Sequence, residues 1–196
     1  MDGRALRSAP RAIAARYDDG MDFVGVLDRV DAFLTSHGWR FALVGGVALA
    51  VYGNPRLTLD LDIATEAEAQ EALVAWMESA GYATLYRSSG FSNHLHASRE
   101  AGRVDFIYVR DETASRLFAG VEVVPGPAGR PVPVPRKEHL IAMKVQAMKN
   151  DSTRTLQEMA DIGYLLELDG TNQQEAREYF VKAGLLERWE ELSRGR

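Results

Sequence analysis

The chain has 196 residues, a mass of 21.7 kDa and a formal net charge of −5. A composition that is 46% hydrophobic and 26% charged excludes a disordered or fibrous protein, and the length predicts one domain, or one domain with a small helical appendage. Cysteine is absent, which excludes a disulfide framework, a thiol nucleophile, an Fe–S cluster and a cysteine-based zinc site, and fits a reducing, cytoplasmic compartment. The richest apolar stretch, residues 41–51, is too short to span a membrane and carries two central glycines. Arg4, Arg7, Arg11 and Arg16 precede no long apolar core, so the N-terminus does not read as a secretory signal.

Along the chain, residues 22–36 predict a helix, with Phe23, Val26, Leu27, Val30, Phe33 and Leu34 at helical spacing. Residues 41–44 predict a buried strand ended by Gly45 and Gly46. A short helix is expected to begin at Ala48 and to end at Gly53, Asn54 and Pro55. Residues 57–64 (LTLDLDIA) alternate strictly and predict a strand with Leu57, Leu59, Leu61 and Ile63 facing the core. A helix over 66–79 follows, with Thr65 as N-cap and Glu68 completing a capping box. Strands are expected at 83–86, 94–98 and 103–109, the last two joined as a hairpin through Glu100, Ala101 and Gly102. A short helix at 112–119 and two strands at 121–124 and 131–134 complete this part. After Pro135 the strand signals stop, and helices are expected at 136–149, 154–168, 173–183 and 185–192. The organisation read from this is a helical segment over 1–38, an α/β core over 39–135 and a helical subdomain over 136–196, with no internal repeat.

Two features close in sequence carry chemistry. Gly45 and Gly46, between a buried strand and a helix, let the backbone approach a ligand, and a following helix start offers N–H groups to phosphate. Taken alone, the pair reads as a tight strand-to-helix turn. The second feature is Asp60-Leu61-Asp62. Residues i and i+2 of a strand share a face, so Thr58, Asp60 and Asp62 point the same way. An isolated pair of this kind reads as a solvated acidic face, yet strands disfavour Asp and like charges side by side repel. A third acid, Asp105, stands in the strand-favouring run RVDFIYV, on the face it shares with Arg103 and Ile107. If the two strands are neighbours the three carboxylates converge, and three oxygen ligands on a rigid sheet suit Mg²⁺ and two-metal phosphoryl chemistry.

The order hydrophobic strand, Gly-Gly, short helix, Arg/Thr and Asp-x-Asp (LVGGVALAVYGNPRLTLDLDI), then a later strand with one Asp (RVDFIYV), resembles the DNA polymerase β-like nucleotidyltransferase superfamily. Thirteen residues separate Gly46 from Asp60. The stretch PVPVPRKEHLIAMKVQAMKNDSTRTLQEMADIGYLL resembles the region after the sheet in the AbiEii-type branch, which includes abortive-infection and toxin–antitoxin nucleotidyltransferases. The resemblance covers residues 40–168, with aminoglycoside nucleotidyltransferases as a second cousin. It implies an α/β (α+β) fold: a mixed sheet flanked by helices, with a C-terminal helical subdomain. It implies metal ligation by Asp60, Asp62 and Asp105, with Asp105 activating the nucleophile through a metal or as a base. Nucleotide contacts are implied for Gly45, Gly46, Arg56, Thr58, Lys144, Arg154 and Asp161, and neutralisation of the leaving group for Lys144. Two positions depart from the pattern. Val47 stands where many members carry Ser, and Glu158 where the branch usually has Asp.

The residues of the helical part can be read independently. Leu140, Ile141, Ala147 and Met148 surround Lys144 at helical spacing, so its ammonium either snorkels out or meets a buried anion. Arg154, Glu158 and Asp161 share a helical stripe, which as a bland alternative is a surface ion-pair ladder. His94 and His96 share a strand face with no third ligand beside them, and read as a polar hairpin face. His139 is expected to be exposed. Trp39, Trp76 and Trp189 are scattered, so no base-stacking platform is visible.

The total charge resolves into two poles. Residues 57–80 hold six acids and no basic residue, whereas residues 130–154 hold six basic residues against two acids. The reading is therefore a Mg²⁺-dependent (or Mn²⁺-dependent) transferase that moves a nucleoside monophosphate from an NTP to a tRNA, protein or small-molecule acceptor. It has no membrane association, and a small cognate regulator is its expected partner. The competing readings are a non-catalytic nucleotide- or partner-binding module, and an antibiotic-modifying nucleotidyltransferase.

Overall fold

The computed structural model describes residues 20–54 and 58–194; the N-terminal arginines, Arg56 and Leu57 lie outside the described residues. The chain divides into two compact units, Met1–Val134 and Pro135–Arg196.

In the first unit, α1 (Phe23–Ser36) is capped by Asp22, whose carboxylate accepts the Gly25 N–H at 2.9 Å. Its Phe23, Val26, Leu27, Val30 and Leu34 are buried, as their spacing requires. Then come β1 (Phe41–Leu43), α2 (Gly45–Val51), β2 (Asp60–Glu66), α3 (Gln70–Ser79), β3 (Tyr82–Ser88), β4 (Phe91–His96) and β5 (Arg103–Val109). The five strands form one mixed sheet in the order β1-β2-β5-β4-β3. Only the central pair of the sheet, β2 and β5, is parallel. Leu61, Ile63, Val104 and Phe106 are fully buried on one face of that pair. The alternation that buries them turns Asp60, Asp62, Arg103 and Asp105 to the other face. After α4 (Asp111–Ala119), β6 (Val121–Pro125) and β7 (Pro131–Pro135) form a separate two-stranded ribbon.

Several expectations fail here for identifiable reasons. Helix α2 starts at Gly45 itself, three residues early, because Gly45 adopts φ +57° as the strand turns directly into the helix. Strand β2 starts only at Asp60, and Leu59 is 76% exposed instead of lying in the core. There the Thr58 hydroxyl donates to the Asp60 carboxylate at 2.7 Å, a local side-chain bond that competes with extended pairing. The capping box does not form: Thr65 is buried inside β2 and donates to the Arg40 carbonyl, and a 3-10 turn over Ala67–Ala69 precedes α3. Trp39 and Trp76 are brought together through Phe33, with ring centroids 6.2 and 4.7 Å away. His94 is fully buried, bonded to Ser92 Oγ at 2.8 Å, while Ser92 Oγ meets Tyr108 Oη at 2.8 Å. Burial holds the His94 imidazole below its ordinary pKa and the Tyr108 phenol above its own.

The second unit consists of α5 (Lys137–Asn150), α6 (Thr155–Glu167), α7 (Gln173–Ala183) and α8 (Leu186–Arg194). Leu140, Ile141, Val145, Ile162, Leu165 and Phe180 form its core. Asn172 caps α7 through the Glu175 N–H, and its own N–H donates to Glu138 at 2.6 Å. Gly184 ends α7 in the left-handed conformation, φ +75°. His139 is buried, not exposed, with Arg136 donating to its ring at 3.2 Å.

Candidate active site

The parallel pairing of β2 with β5 puts Asp62 directly opposite Asp105 and Asp60 opposite Arg103. Carboxylate oxygens of Asp60, Asp62 and Asp105 all lie within 4.8 Å of one another. Asp105 is buried, and Asp60 and Asp62 are half-buried. Three carboxylates at this range repel unless a cation joins them. Arg103 supplies part of that charge. Its guanidinium grips both oxygens of Asp105, at 2.9 and 3.0 Å, and the hydrogen bond to Asp105 together with the charges of Asp60 and Asp62 raises its pKa. Arg103 offsets only one of the three negative charges, and the all-oxygen donor set that remains is what a hard divalent cation would require, so the residues fit such an ion.

Gly45 belongs to this site for a steric reason. A Cβ at Gly45 would lie 1.9 Å from Asp62 Oδ2 and 2.6 Å from its carboxyl carbon. The turn therefore presses its backbone against Asp62, and φ +57° adds a second demand for glycine. The Val44 N–H donates to the Asp62 carbonyl at 3.0 Å, which fixes the turn to β2. Gly46 is buried beside it, and Thr58 holds Asp60 as described. Two residues at the site went unassigned in the sequence. Arg103 was legible, because it stands two positions before Asp105 on the same strand face. Asn93 was not, because only the β4–β5 register puts it opposite Asp105.

Lys144, Glu158, Asp161 and Arg154 come together within the helical unit. Lys144 Nζ donates to Glu158 Oε2 at 2.9 Å and Asp161 Oδ2 at 2.6 Å, and Arg154 pairs with the other Glu158 oxygen at 2.6 Å. Glu158 and Asp161 are buried, so the stripe is no surface ladder, and the Lys144 ammonium has its anionic partners inside the fold.

Comparison with known proteins bears on the fold and the family. No curated protein matches the chain. Among solved structures, the lincosamide antibiotic adenylyltransferase LnuA with lincomycin bound superposes at a TM-score of 0.53 with 13% identity, over 76% of this chain and 99% of that one. The solution structure of the antibiotic-resistance factor ANT(2'')-Ia gives 0.59 and 18%, over 89% and 98%. An antigenic nucleotidyltransferase-like protein from Paracoccidioides brasiliensis gives 0.53 and 14%, over 89% and 93%. These identities show the fold alone. The family model described as nucleotidyl transferase AbiEii toxin, type IV toxin–antitoxin system, matches residues 29–194, and so extends past both ends of the motif resemblance. The chain thus belongs to the AbiEii nucleotidyltransferase family.

Proposed function

We propose that the protein transfers a nucleoside monophosphate from an NTP to an acceptor at the Asp60–Asp62–Asp105 cluster, with Mg²⁺ or Mn²⁺ as cofactor. The observation that carries this reading is the convergence of three carboxylates within 4.8 Å on one sheet face. A divalent ion bound there supplies Lewis-acid polarisation of the phosphate and stabilises the charge that develops on transfer. Asp60 and Asp62 would hold the ion, one of them fixed by Thr58 and the other by the Gly45 turn. Asp105, set opposite Asp62, orients the acceptor's nucleophile and takes up its proton; Arg103 holds that carboxylate in place. The Gly45–Gly46 backbone and Thr58 serve the phosphates, Arg56 is assigned to them on the family pattern alone, and pyrophosphate leaves. Lys144, Arg154 and Asp161 are assigned to the nucleotide on the family pattern alone.

The family description favours a toxin component with a cognate antitoxin over an antibiotic-modifying enzyme. Overexpression separates the two, since a toxin arrests growth whereas a resistance enzyme protects against its drug. The transfer reaction itself is tested by incubating the protein with α-labelled NTPs, Mg²⁺ and a total cell extract, beside Asp60→Asn. The wild type should label a fraction of the extract and Asp60→Asn should not. Full labelling by Asp60→Asn contradicts the assignment. NTP binding without any labelled product favours a non-catalytic module.

A further inference from the structure

Asn93 lies outside everything assigned above. It is 7% exposed, and its side-chain nitrogen is buried with no hydrogen-bond partner among the described residues. Burying such a donor unpaired is costly, and native folds pair nearly all of them. Position gives the reason it is kept. Asn93 is opposite Asp105 on β4, Asp105 is opposite Asp62, and Tyr86 on β3 is opposite Asn93. Directly paired residues share a sheet face, so one row runs from the Gly45 turn through Asp62, Asp105 and Asn93 to Tyr86. In-line transfer needs the nucleophile and the leaving pyrophosphate on opposite sides of the reacting phosphorus. If the phosphates lie at the Gly45 end, as the proposed function has it, the acceptor lies at the Asn93 end.

We propose that Asn93 is the acceptor-binding residue, donating a hydrogen bond to an acceptor oxygen next to the attacked hydroxyl. The surroundings define the acceptor's class. Tyr86 is 56% exposed with the Phe91 ring 6.4 Å away, and Leu95, on the same face of β4, is 44% exposed. An amide donor flanked by exposed apolar side chains suits a sugar-type ring, with vicinal hydroxyls on its edge and C–H groups on its face. The acceptor hydroxyl attacks the α-phosphorus, its proton passes to Asp105, and the bond to pyrophosphate breaks.

This inference rests on the transfer reading, and the test separates the two. Wild type, Asp60→Asn, Asn93→Leu and Asn93→Ser are incubated with α-labelled NTPs, Mn²⁺, and the RNA, small-molecule or protein fraction of a cell extract. Wild type should label the RNA or the small-molecule fraction, which tells a polymer-borne sugar from a free one. Prior periodate cleavage of vicinal diols in that fraction should abolish labelling. Asn93→Leu should lower transfer at subsaturating acceptor by about tenfold, through a higher half-saturating concentration, with Ser restoring part of it. Its affinity for the Mn²⁺–NTP complex, read by calorimetry, should stay within about twofold, and its melting temperature should not fall, since an unpaired buried amide is replaced by an apolar group of similar size. Wild-type transfer by Asn93→Leu, a parallel loss of NTP binding, labelling of the protein fraction, or survival of labelling after periodate would each overturn the inference. Failure of the transfer reading shows separately, as an unlabelled wild-type reaction or as full labelling by Asp60→Asn, and takes this inference with it.

Discussion

Two charged clusters of this molecule solve opposite problems. On the sheet, three carboxylates converge and Arg103 is clamped to one of them. In the helical unit, the Lys144 ammonium lies between Glu158 and Asp161, and Arg154 completes Glu158 from outside. The second cluster carries its cation as a covalent part of the chain and is sealed in the core. The first has an excess of negative charge on a sheet face and fits a cation brought from solution. Acidic residues alone therefore do not mark a metal site. The balance of built-in charge separates a self-neutralised cluster from one that fits a cation from solution.

The sharpest way to break this contrast is to substitute one member of each cluster and watch two readouts. Asp60→Asn is expected to lower transfer by roughly a thousandfold or more while leaving the melting temperature unchanged or higher, because a repelling charge with no ion-pair partner among the described residues is removed. Lys144→Met should do the reverse to stability: Glu158 and Asp161, both buried, lose the ammonium that joins them, at a cost of about 3–5 kcal/mol in denaturant unfolding. A stable Lys144→Met, or a collapsed Asp60→Asn, would erase the distinction. A smaller effect is expected from Gly45→Ala. The strained φ costs about 1–2 kcal/mol, and the displaced Asp62 carboxylate should weaken divalent-ion binding as well.

The smallest effect concerns pH. His94 is held neutral by burial, below its free value of 6.5. The unfolded chain therefore binds the proton more readily, and this contribution to stability is present above pH 6.5 and lost as the pH falls from there through the folded value. His94→Gln should flatten the acid limb of the stability profile, measured by urea unfolding between neutral and mildly acidic pH.

Much of this site can be read from residues that are close in sequence. The spacing of Asp60 and Asp62 on one strand, the strand character around Asp105 and the Gly-Gly turn all follow from local periodicity. That β2 and β5 pair in parallel does not, because strand order and register are tertiary. Asn93 consequently escaped notice, and His94 and His96 read as a polar face although His94 is in the core. Thr65 carried a local capping signal that strand pairing overrode, since its hydroxyl found the Arg40 carbonyl instead. The alternation at 57–64 misplaced Leu59 for a related reason, a side-chain bond from Thr58 that delays the strand. Lys144 was legible as a dilemma between snorkelling and a buried partner, and the packing of α5 on α6 resolved it.

The central claim is that the sheet cluster, and not the helical one, takes a divalent cation from solution. Calorimetric titration with Mn²⁺ of the wild type, Asp60→Asn and Glu158→Gln tests it most directly. The account predicts binding to the wild type, retention of that binding in Glu158→Gln and its loss in Asp60→Asn. Equal binding to the wild type and Asp60→Asn, or no binding to either, would contradict it.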